Sequence, residues 1–170
     1  MGASLKKMKQ QGQHVNQKDA KIKNLAKSVN FMPKLWKCPK CKREFAKTRQ
    51  QHSCTIYDID KHFAGKDYAR KLFNFLVSEI NKKVGKIKIE SLPCCIHFVS
   101  NYTFGAAWAL KDGIRIDFRL DHKIDTKKSY KVNHISANRY LYYLDIKNKK
   151  EIDSEFLTWI KEAYSQNAEG

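Results

Sequence analysis

The sequence predicts an α+β protein: a small zinc knuckle followed by a mainly antiparallel sheet of four or five strands covered by two helices. Three observations lead to that class. Apolar and polar residues alternate with a period of two in short runs between residues 86 and 147, as half-buried strands require. Stretches with apolar residues at helical spacing stand on either side of those runs. Ahead of both, Trp36-Lys-Cys38-Pro-Lys-Cys41 and His52-Ser-Cys54 have the spacing that lets four side chains close on one metal ion.

Taken in order, residues 1–30 are dominated by Lys, Gln and Asn with scattered Leu5, Met8, Val15, Ile22 and Leu25. So little apolar surface does not offset the entropy of ordering, so this basic tail is expected to be disordered, with a transient helix near Asp19–Ser28. Asn30-Phe31-Met32-Pro33 marks the entry into structure, and the knuckle takes residues 31–56. Phe45 stands four residues after Cys41, where a ββα zinc finger places its core aromatic, and Trp36 is placed to cover the other side. Without its ion a unit of this size has almost no core.

Residues 57–170 read as the α+β domain. Asp67–Lys83 is a helix with Ala69, Leu72, Phe73, Leu76 and Ile80 on one face and Gly85 as its stop. Lys86–Glu90 alternates as a strand. Pro93–Ser100 is apolar but short, and periodicity does not separate a strand from a helical turn there. Thr103–Leu110 and Ile114–Leu120 flank the hairpin signal Lys111-Asp112-Gly113. In the second of these, Ile114, Ile116, Phe118 and Leu120 face the core, and Arg115, Asp117, Arg119 and Asp121 are expected in solvent. Ser129–Ile135 and Arg139–Lys147 are further strands. The last helix is expected to open with Asn148 and Glu151 at capping-box spacing, then to carry Ile152, Phe156, Trp159, Ile160 and Ala163 on one stripe.

The chain has five cysteines, an odd number, and three fall in the knuckle. The other two, Cys94 and Cys95, are adjacent, and successive strand side chains point to opposite faces. A disulfide framework is therefore not expected, and a reduced, cytoplasmic setting is. The longest stretch without Asp, Glu, Lys or Arg, Ser91–Leu110, contains Pro93, His97, Asn101, Tyr102 and Thr103; it reads as strands of a core, not as a membrane span.

Charge supplies the second functional signal. The net charge is +17, and residues 1–55 hold 14 Lys or Arg against Asp19 and Glu44, a balance of +12. A cationic arm beside a compact basic finger suits a polyanion, because each neutralised phosphate releases condensed counterions. Lys37, Lys40, Lys42, Arg43, Lys47 and Arg49 are the candidate phosphate contacts, positioning a nucleic acid without reading its bases.

For the metal, Cys38, Cys41, His52 and Cys54 are the candidate ligands of one structural Zn²⁺. Three thiolates and an imidazole are a set zinc favours, and four protein ligands leave no open position for catalysis. A competing assignment puts His62 in place of His52. His97 and His134 read as structural histidines in strands.

The motifs Trp36-x-Cys-Pro-x-Cys-x-x-x-Phe45, Gln51-His-Ser-Cys54 and Asp60-Lys-His-Phe-Ala-Gly-Lys66 resemble those of a prokaryotic family described as a domain of unknown function. Leu110-Lys-Asp-Gly113 and the Trp159-x-x-x-Ala-Tyr164 helix are similar too. The resemblance spans about residues 35–165, and implies a zinc-bearing N-terminal segment, a compact α+β domain and no established activity.

No glycine-rich phosphate loop, nucleophile elbow or His-Glu metalloprotease helix occurs. Asp121-His122-Lys123 fits an acidic-x-Lys nuclease pattern, as do Asp19-x-Lys21, Asp125-x-Lys127 and Asp145-x-Lys147 in a chain this rich in lysine. The sequence therefore points to a zinc-binding, nucleic-acid-associated protein. A protein-interaction module built on the knuckle is the second reading, and a metal-dependent hydrolase using Asp117 and Asp121 the third.

Overall fold

The computed structural model describes residues 35–168 apart from Ala46, Ser53 and Ile56. The basic tail, the helix expected near Asp19–Ser28 and the entry segment Asn30–Pro33 lie outside the described residues. The described residues belong to one compact unit.

That unit starts with a two-stranded ribbon, β1 (Trp36–Lys37) and β2 (Glu44–Phe45), in which Trp36 pairs with Phe45. A short 3₁₀ turn, Ile59–Phe63, leads to α1, Asp67–Lys83, which has the bounds read from its periodicity. Six strands follow: β3 (Lys88–Ser91), β4 (Ile96–Val99), β5 (Thr103–Ala109), β6 (Ile114–Leu120), β7 (Lys131–Ser136) and β8 (Arg139–Ile146). They form one antiparallel sheet in the order β3-β4-β5-β6-β8-β7. The fold is thus α+β as expected, with one or two more strands than the four or five predicted. Pro93–Ser100, ambiguous in the sequence, splits into a turn and β4.

β3 to β6 run as a simple meander, and the β7–β8 hairpin then docks through its second strand, so that β8 lies against β6 and β7 forms the outer edge. Tyr130, Val132 and Ile135 stand exposed along that edge. The turn between β5 and β6 closes with the Leu110 N–H donating to the Gly113 carbonyl at 2.9 Å. Gly113 is required by close approach, since a β-carbon there would run into the Ile146 carbonyl oxygen of β8.

One face of the sheet carries the core. Ile96, Ala107, Ile116 and Leu144 form a row across four strands, with Phe98, Gly105, Phe118 and Tyr142 in the next. α1 lays Ala69, Leu72, Phe73, Leu76 and Ile80 on this face, and α2 (Ser154–Ala168) adds Phe156, Leu157, Trp159, Ile160 and Ala163. Phe118 stacks on both Tyr142 and Trp159, with ring centroids 5.6 and 6.2 Å apart.

The start of α2 departs from the sequence reading. Asn148 and Glu151 do bond to each other, Asn148 Nδ2 donating to Glu151 Oε1 at 2.6 Å, but they frame only the 3₁₀ turn Lys149–Glu151. The helix itself is capped by Asp153, whose Oδ1 accepts from the Phe156 N–H at 2.9 Å.

The outer face also departs from expectation, for it is not simply solvated. Asp117, between Ala106 and Tyr143 in the middle of the sheet, is 8% exposed. Arg115 lies flat, bidentate to Asp145 at 2.7 and 2.9 Å and 4.9 Å from the centre of the Tyr130 ring. Arg119 is half-buried, and only Asp121 of the four is exposed. Long side chains lying along the sheet cover much of a face that strict alternation assigns to water.

Candidate metal centre

The ribbon brings Cys38 and Cys41 to one side of a tight turn. The Cys38 N–H donates to the Arg43 carbonyl at 2.8 Å and the Lys42 N–H to the Cys38 carbonyl at 2.9 Å, so the backbone wraps round the first two sulfurs. Lys42 takes a left-handed φ of 61° to make this turn, a conformation that costs a residue with a side chain about 1 kcal/mol. The chain then returns past Arg49, also left-handed at φ 57°, and delivers His52 and Cys54.

The ligand atoms of Cys38, Cys41, His52 and Cys54 all lie within 4.8 Å of one another, close enough to hold one metal ion. Three of the six separations match the edges of a tetrahedron. Bonds of about 2.3 Å to sulfur and 2.0–2.1 Å to nitrogen give edges of about 3.8 Å between sulfurs and 3.6 Å from sulfur to nitrogen. Here Cys38 Sγ and Cys54 Sγ are 3.8 Å apart, and His52 Nε2 is 3.4 Å from both Cys41 Sγ and Cys54 Sγ.

The imidazole is oriented from behind. His52 Nδ1 meets the Gln50 carbonyl at 2.5 Å, which turns Nε2 toward the sulfurs, as an outer-shell partner does in metal sites. Phe45 stacks on the His52 ring with centroids 4.1 Å apart and Trp36 meets it edge-on at 6.1 Å. Trp36 was expected to cover the other side of the knuckle from Phe45, but as cross-strand partners the two share one face, their rings 6.0 Å apart. His62 is elsewhere, with Nε2 3.2 Å from Ser91 Oγ and its ring edge-on to Tyr57. It is His52, and not His62, that the fold brings to the three cysteines.

The local electrostatics suit thiolates. Burial raises the Cys41 thiol, but the Arg43 backbone and side chain and the neighbouring cluster groups outweigh it and bring it down to about 6. Cys38 is lowered chiefly by a hydrogen bond from the Cys41 backbone. Cys54 is raised by burial and by the two sulfurs beside it, the mutual repulsion expected of neighbouring thiolates and one a cation would relieve.

Of the six candidate phosphate contacts, Lys37, Lys40, Lys42, Lys47 and Arg49 are exposed around this cluster. The sixth, Arg43, turns inward, 3.4 Å from Glu90 of β3 and over the Phe45 ring. Lys88 of the same strand pairs with Glu44. The knuckle is thereby tied to the β3 edge, and a cavity of about 300 Å³ opens at the junction, lined among others by Arg43, His52, Glu90, His97 and Thr103. This docking was not legible in the sequence, since no local pattern links residues so far apart. His97 is half-buried, and burial lowers its imidazole from the usual value; His134 stacks on Tyr140. Among the described residues no helix is long and apolar enough to cross a membrane.

Fold and cluster together define a compact α+β domain carrying a Cys₃His group able to hold a metal ion. Residues 59–167 match the family described as a domain of unknown function, DUF5655, and the chain belongs to that family. The match begins after Cys54, so the cluster lies outside the matched residues. Comparison with curated proteins and with solved structures finds no match.

Proposed function

We propose that the cluster holds one structural Zn²⁺ and that the cationic lobe it rigidifies seats on the phosphate backbone of a nucleic acid. The observation that supports this most directly is one small unit in which the ligand atoms of three cysteines and a histidine lie within 4.8 Å of one another, three of their separations matching edges of a zinc tetrahedron, and five cations stand exposed. Zinc supplies rigidity there and no open coordination site. Cys38 and Cys41 hold the turn, His52 and Cys54 close it, and Lys37, Lys40, Lys42, Lys47 and Arg49 present charge at fixed spacing. Arg43 ties the lobe to the sheet through Glu90.

Such contacts position the polymer and carry no base information. With about five phosphates neutralised, the logarithm of affinity falls with a slope of about −4.5 against the logarithm of salt on duplex DNA. Gel shifts with duplex DNA and with single-stranded RNA at 50 and 200 mM salt test this. The expected result is a loss of two to three orders of magnitude in affinity between the two, and a comparable loss when the five cations are replaced by glutamine or when a chelator is added. Binding that ignores salt, or no binding at all, refutes the reading.

A further inference from the structure

Cys94 and Cys95 follow β3 in the turn to β4, and neither belongs to the metal cluster. The chain reverses through Pro93 and Cys94. The Leu92 N–H donates to the Cys95 carbonyl at 2.9 Å, and the Cys95 N–H returns a bond to the Leu92 carbonyl at 3.3 Å. In a strand these two side chains would point apart. In this turn they converge, and the sulfurs stand 3.1 Å from each other, nearer than the 3.8 Å between the sulfurs of Cys38 and Cys54. Cys94 is exposed and Cys95 buried.

We propose that Cys94 and Cys95 form a reversible two-electron redox site, oxidised by hydroperoxides to a disulfide between adjacent residues. Cys94, the accessible sulfur, attacks the terminal peroxide oxygen as its thiolate. The O–O bond breaks, the leaving oxygen takes a proton and departs as water or alcohol, and Cys94 becomes a sulfenic acid. The Cys95 sulfur then attacks the Cys94 sulfur, the S–O bond breaks, and the hydroxyl leaves as water with the Cys95 proton. Two thiols and one hydrogen peroxide thus give one disulfide and two waters.

The roles of the two sulfurs are unequal. Burial, the adjacent Cys94 sulfur and the charge of Asp117 push the Cys95 thiol up to about 12, so it is a poor partner for an external oxidant. It resolves Cys94 because it is already in place, where proximity replaces intrinsic reactivity. The product is labile by construction. Adjacent α-carbons are about 3.8 Å apart across a trans peptide, short of the roughly 4.4–6.8 Å that disulfides favour, and strained disulfides have the more oxidising potentials typical of regulatory bonds.

The test treats the full chain, with zinc added, with stoichiometric hydrogen peroxide, blocks remaining thiols by alkylation, digests and sequences the peptides by tandem mass spectrometry. The expected result is a peptide containing both residues that has lost two hydrogens and takes no alkyl group. Dithiothreitol restores it to the doubly alkylated form, and neither Cys94→Ser nor Cys95→Ser yields it. The proposal is overturned if both residues remain alkylatable after peroxide, if Cys94 advances to a sulfinic acid without linking, or if it links to Cys38, Cys41 or Cys54. Because the wild-type chain gives the primary readout, a variant that fails to fold leaves the test intact.

Discussion

In the α+β body Phe98, Phe104, Phe118, Tyr142 and Phe156 have no exposure at all, and two helices close over them. In the knuckle, among the described residues, only Cys38 and Cys41 are buried. The body is held by apolar area withdrawn from water, at roughly 25 cal/mol per Å², whereas the knuckle has two rings, Trp36 and Phe45, packed against a ligand set that includes His52. The two should therefore respond to different perturbations.

The strongest way to break that contrast is to remove the metal proposed for the Cys₃His group. Apparent zinc energies of about 10–16 kcal/mol hold units of this kind together, so chelation, or Cys38→Ser, is expected to abolish amide protection across residues 36–54 and leave β5 and β6 protected. Loss of protection throughout the sheet in hydrogen exchange would show that the body depends on the ion as well. The reverse perturbation is Phe118→Ala. Deleting a ring stacked between Tyr142 and Trp159 is expected to cost about 4 kcal/mol, read as a lower denaturant midpoint, while the zinc content per folded chain is unchanged.

Asp117 offers a smaller and pH-dependent effect. Burial raises its carboxyl from 3.8 to about 6, so the folded state holds this proton more tightly than the unfolded one, and stability falls as pH rises from about 4 through 6. Asp117→Asn removes that penalty. It is expected to add about 2–3 kcal/mol at pH 7.5 and to have little effect at pH 3.5; an equal gain at both, by urea unfolding, would assign the effect to packing. The smallest effect sharpens the boundary between the regions. Glu90→Gln takes the charge out of the link to Arg43, both partners being 17% exposed, and is expected to cost about 1 kcal/mol, seen as faster exchange in the knuckle with the body unmoved.

Much of this architecture was legible because local rules and global fold agree. α1 has the bounds its periodicity gave, the Lys111-Asp112-Gly113 turn joins β5 to β6, and the four cluster residues converge as their spacing implied. The failures have physical causes. Asn148 and Glu151 satisfy the capping pattern, yet Ile152 takes a ψ of 61°, which interrupts the helix and passes the cap to Asp153. Alternation assigns Arg115 and Asp117 to the outer face, but a period of two cannot report that Tyr130 and Asp145 lay Arg115 flat. Cys94 and Cys95 read as a strand pair because the turn after Pro93 depends on hydrogen bonds that local composition does not specify.

The strand order has a further consequence for synthesis. Because β8 pairs with β6 while β7 takes the rim, a ribosome that has released the chain only as far as residue 138 presents β6 as an unpaired border. At that stage Ile116 and Phe118 also lack α2 as a lid. The nascent polypeptide is most prone to sticking to its neighbours in this interval, and the time taken to add β8 and α2 determines how long it stays so.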